Sequence, residues 1–149
     1  MVLKMINVIV YLIFLAVFHA LWECEIEGNA GWAKNLPTWR ISNPYKKTFH
    51  GKDITGYHTF MLIIFGMFFH GYFLFNSWSL GRELICIGIM LIYLIVEDFL
   101  WFVLNPYYET KKFFQKKVRW HKKWFLWLPI DYWYMVLIGS YMILIGKMI

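Results

Sequence analysis

Five side chains that can ligate a metal or carry a proton lie within long apolar stretches: His19, His58, Glu97, Asp98 and Asp131. Glu23 and Glu27 follow His19 at intervals of four, the spacing that lines one face of an α-helix. A charge at bilayer depth costs at least about 2.5–3.5 kcal/mol. Three such carboxylates therefore need protons, paired cations or a metal, and the spans hold no Lys or Arg at that depth. A divalent cation meets the need directly, since bundle-core metal sites are built from carboxylates and histidines on facing helices. The expected site is a metal held by His58, Glu97, Asp98 and His19. Glu23, Glu27 and Asp131 are the expected catalytic groups. Such a metal lowers the pKa of bound water, and a tuned carboxylate can take the proton. Iron on the same ligands would support redox chemistry instead.

Arg40, Lys52, Arg119 and His121 flank this layer and are the expected substrate-binding residues. The arginine fork suits phosphate because it binds two oxygens at once. A plainer role for the basic segment 105–123 is contact with anionic lipid headgroups. The net charge of +6 does not point to nucleic acid, because the basic residues gather beside apolar spans. Membrane lipids are the expected partners. Haem is not expected: His70 lies about 18 Å along its helix from His58, and no Cys-x-x-Cys-His run occurs. Cys24 and Cys86 read as free thiols near opposite membrane faces. No serine sits in a nucleophile elbow, and no glycine-rich phosphate loop is present.

The elements that must position these groups are read from composition. Of 149 residues, 60% are hydrophobic and only 16% charged, too little polar surface for a soluble domain. Four apolar runs, 5–22, 54–81, 84–104 and 124–146, contain 18, 28, 21 and 23 residues, and about 20 suffice to span hydrocarbon. The expected fold is an all-α integral membrane protein, a single four-transmembrane-helix bundle covering 1–149. Its helices are expected at about 5–22, 57–76, 84–104 and 124–146. Loops 23–56 and 105–123 carry 12 of the 15 Lys and Arg residues, which makes them cytoplasmic and both termini exoplasmic. In a prokaryote the membrane would be the plasma (inner) membrane. The first loop, rich in Gly and Trp, reads as an interfacial cover between helices 1 and 2. Trp22, Trp101, Trp120, Trp124 and Trp127 are expected at the cytoplasmic interface.

Glu97 and Asp98 fall about 10 Å from one helix end, and Asp131 about 10 Å from another on the same side. That shared depth points to a metal-dependent enzyme acting on a lipid or amphipathic substrate. The alternative is a proton- or ion-coupled carrier or an accessory subunit, since buried carboxylates also serve proton relays.

Overall fold

The structure, a computed structural model, describes residues 2–43 and 52–149. Lys46 and Lys47, two of the residues used to orient the chain, lie outside them. The described chain is mostly helical. Helix α1 spans Val2–Glu27 and ends at Gly28, whose φ of +59° closes the helix with a bond from its N–H to Cys24 O at 2.9 Å. The helix therefore outruns its apolar segment by five residues, because glutamates propagate a helix well and nothing stops it before Gly28. A two-residue hairpin pairs β1 (Arg40–Ile41) with β2 (Ile54–Thr55). Thr55 then caps α2 (Gly56–His70), which tightens into a 3-10 turn over Gly71–Leu74.

Ser79 caps α3 (Leu80–Leu104), and Asn105-Pro106 ends it, since a residue before proline is pushed out of the helical region. The loop beyond contains one short helix, α4 (Lys111–Phe114). The fourth apolar run does not begin as helix. Trp124–Phe125 (β3) pairs with Leu128–Pro129 (β4), and α5 (Ile130–Met148) starts only after Pro129. Asp131 consequently lies in the first turn of α5 rather than two turns inside it.

Among the described residues, three stretches are long and apolar enough to cross a membrane: Ile6–Glu27, Gly56–Leu74 and Leu80–Leu104. α5 is not among them, because Asp131, Lys147 and its tyrosines dilute its apolar content. α3 is the central helix, packed along α5 and α1 and touched lightly by α2. α2 reaches α1 through rings, with Phe65 stacked on His19 at 3.8 Å between centroids. Large outward side chains such as Phe14, Phe18, Met67, Leu137 and Leu144 are exposed. The densest core lies instead at the end where α1 and α3 finish, around Cys24, Trp101, Phe102, Phe113, Trp120 and Tyr132. Trp101 and Trp120 are thus core residues and not interface anchors.

Glycines set the α3–α5 contact. A Cβ on Gly88 would sit 2.6 Å from Gly139 O, and one on Gly139 would sit 2.8 Å from Gly88 O. One heptad away, Gly81 and Gly146 meet in the same way. Small residues at such positions let two backbones approach closely. Gly88→Leu is expected to destabilise the protein by about 1–3 kcal/mol through overpacking. Gly66→Leu, at a position with open space, is the control. Thermal unfolding in detergent checks both, and equal melting of the two variants would remove the close-approach argument.

Candidate functional site

The last turn of α1 and the first turn of α2 converge. Glu23 and Glu27 are only 6% and 8% exposed, and each offers a carboxylate oxygen toward the His58 ring. One ligand atom from each of the three lies within 4.8 Å of the others. His58 Nε2 is 3.5 Å from Glu27 Oε1. Tyr57 donates its hydroxyl to Glu23 Oε1 at 3.1 Å. Beneath them Glu97, 3% exposed, lies close enough to Glu23 for a side-chain hydrogen bond, while its Oε1 has no partner among the described residues. Three carboxylates here share little water, so a proton or a cation must hold them together.

Thr55 prepares the histidine. Its Oγ1 lies 2.7 Å from His58 Nδ1 and accepts the His58 backbone N–H at 3.2 Å. With Nδ1–H donating to Thr55, the Nε2 lone pair is left facing Glu27. A partner on the far nitrogen is how ligating histidines are oriented. Thr55→Val is expected to cost about 1 kcal/mol through the lost cap. If the donors hold a metal, it should also weaken that binding by about 10–100-fold. Thr55→Ser should retain both, and metal titration with thermal melting measures the pair.

A strained turn roofs the site. Gly31, Trp32 and Ala33 have φ of +60°, +52° and +48°, a left-handed run that costs each non-glycine residue about 1–2 kcal/mol. At Gly31 any side chain would also strike the Trp120 ring. Local bonds offset the strain. Ala33 N–H donates to Glu27 Oε1, the Arg40 guanidinium donates to Ala33 O, and Trp32 Nε1 donates to Asp53 O at 2.9 Å. Trp32 stacks on His58 with centroids 4.1 Å apart, and Lys52 Nζ stands 4.3 Å over the indole. Burial lowers the Lys52 pKa from its ordinary value, against the opposing pull of Asp98, Asp131 and Glu27.

A second polar cluster forms where α3 meets α5. His121 Nε2 is 3.1 Å from Asp98 Oδ2, and His121 Nδ1 is 3.5 Å from Asp131 Oδ2. Tyr132 donates its hydroxyl to Asp98 Oδ2. This arrangement pins the loop after α3 to both helices.

The expected residues therefore separate. His58 joins Glu23 and Glu27, whereas Asp98 and Asp131 face His121. His19 lies apart from the three donors, with Nδ1 3.0 Å from the Tyr93 hydroxyl. His121, expected to bind substrate, is 2% exposed and held between the aspartates, which leaves it no open face. Arg40, Lys52 and Arg119 do line a common cavity of about 260 Å³. Trp32, Thr55, Tyr57 and Tyr132 were not anticipated. Of these, only Thr55 carries a legible signal, its cap spacing three residues before His58. No known protein family, curated protein or solved structure matches this chain.

Proposed function

We propose that this chain is an integral membrane enzyme using a divalent metal, held by Glu23, Glu27 and His58, on a lipid or other amphipathic substrate. The observation that carries the reading is the buried triplet of donor atoms within 4.8 Å of one another. Three protein ligands leave a coordination position for water or substrate, as catalytic sites require. Two carboxylates and one imidazole suit zinc, manganese or iron. A metal held there would supply an acidified water for hydrolysis, and Glu97, whose Oε1 has no partner among the described residues, would take the proton.

α5 is proposed as a fourth span, antiparallel to α3. The site end is proposed to face the cytoplasm, with both termini exoplasmic, on the positive-inside rule applied to the two basic loops. Labelling of a cysteine introduced at position 116 should succeed only from the cytoplasmic side. Labelling from outside would invert the topology.

Elemental analysis tests the metal. The purified protein should hold about one divalent ion per chain, and His58→Ala should lose it. Protein that arrives without metal and takes up no zinc, manganese or iron on titration would overturn the reading. The second reading is a proton-coupled carrier, favoured by the buried series Glu97, Glu23, Tyr93 and His19. Beyond Tyr93 the adjoining cavity is walled mainly by apolar groups such as Leu12, Ile89 and Ile92, with Lys147 its one charged lining residue among those described. A carrier needs a continuous polar path there.

A further inference from the structure

Two cavities meet at the roof of the donor triplet. The smaller, about 260 Å³, is lined by five cationic side chains from three separate stretches: Lys34, Arg40, Lys52, Arg119 and Lys122. Among the described residues, Asp53 is the one carboxylate lining it. Cations crowded this way repel one another and focus a positive potential on the space they enclose. The larger cavity, about 490 Å³, shares Trp32, Lys52 and Asp53 with the first. It passes His58 and continues between α2 and α5 along Leu62, Tyr134 and Met135. Lys52, Asp53 and Asp131 line its polar end, and its apolar groups lead down the helices.

We infer that the basic cavity binds the phosphate of an anionic amphiphile, so that the substrate class of this site is a phosphorylated lipid whose chain lies between α2 and α5. This rests on the enzyme reading above and specifies its substrate. Two arginines among the five cations suit the binding of phosphate oxygens in pairs. The phosphate pocket lies next to the donors. Lys52 stands 4.3 Å over the Trp32 ring, and that ring stacks on His58 at 4.1 Å. Arg40 is tied to Ala33 O, and Ala33 N–H is tied to Glu27. A headgroup seated among these cations therefore directs the rest of the molecule into the adjoining cavity, whose wall includes His58. A neutral lipid would leave the positive potential of the basic cavity unanswered, and a water-soluble phosphate would leave the α2–α5 cavity unfilled.

The test is a binding titration on purified full-length protein in neutral detergent, followed by native mass spectrometry. Four probes are used: dioctanoyl phosphatidic acid, dioctanoylglycerol, inorganic phosphate and inorganic pyrophosphate. Phosphatidic acid is expected to bind at least tenfold more tightly than any of the other three. Arg119→Gln with Lys122→Gln should weaken it at least tenfold, and Arg40→Ala should do the same. Lys116→Gln, outside the cavity, should leave it unchanged. Leu62→Trp, which fills the chain cavity, should weaken phosphatidic acid and leave inorganic phosphate unaffected. Equal binding of phosphatidic acid and dioctanoylglycerol would overturn the phosphate assignment. Inorganic phosphate or pyrophosphate binding as tightly as the lipid would overturn the lipid assignment. Metal content is measured on the same samples, so an empty metal site with intact lipid binding defeats only the enzyme reading. A filled metal site without phosphate selectivity defeats only this inference.

Discussion

Glu27→Gln and Glu27→Ala are expected to fail in different ways. Both remove a carboxylate from the donor triplet, so both should lower metal affinity by at least about 100-fold, beyond the ~10–100-fold typical of an outer-shell loss. Only alanine removes the acceptor for the Ala33 N–H, the bond that holds the left-handed turn over the site. An orphaned buried N–H costs about 1–3 kcal/mol. The glutamine amide oxygen can still accept it. The glutamine variant should therefore melt near wild type while binding little metal. The alanine variant should melt lower and lose amide-exchange protection at Trp32 and Ala33. Metal titration, thermal unfolding and hydrogen exchange resolve the three effects. If both variants bind metal as wild type does, Glu27 is a structural anchor and the triplet is not a metal site.

Much of this arrangement can be read without coordinates. Helix periodicity places His19, Glu23 and Glu27 on one face, and apolar run lengths locate α2 and α3 within a few residues. The common layer of acidic and histidine side chains follows from depth alone. What depth cannot tell is which way each residue points. Glu97 and Asp98 are neighbours in sequence, so helical geometry sets them about 100° apart. They cannot both face one ion. Glu97 turns toward Glu23 on α1, and Asp98 turns toward His121 and Tyr132 on the α5 side.

The ends of the apolar runs mislead for a related reason. Hydropathy marks where polar residues begin, whereas Gly28 and Pro129 decide where helix stops and starts. That difference carries Glu23 and Glu27 onto a helix and puts Asp131 at a helix start. The left-handed turn over residues 31–33 has one readable residue, Gly31. Nothing in Trp32 or Ala33 advertises a positive φ.

His121→Ala is expected to destabilise the fold more than any other single substitution near the site. The imidazole stands between Asp98 and Asp131 and faces one aspartate through each ring nitrogen. Removing it leaves two carboxylates across an emptied space, with Lys52 as the nearby cation common to both. Leaving a buried hydrogen-bonding group without its partner costs about 1–3 kcal/mol, more for a charged group. Two carboxylates lose their partner at once, and their side chains are 31% and 25% exposed, so the expectation is about 3 kcal/mol. The electrostatic cause separates from simple cavity formation in the double variant Asp98→Asn, His121→Ala. Removing one carboxylate should recover part of the lost stability if repulsion dominates, and none if the lost packing against Phe102 and Tyr132 dominates. Thermal unfolding of the wild type, both single variants and the double variant in one detergent closes the cycle. Because His121 lies outside the donor triplet, zinc uptake by the folded His121→Ala protein should match the wild type. Loss of that uptake would join the two clusters into one site.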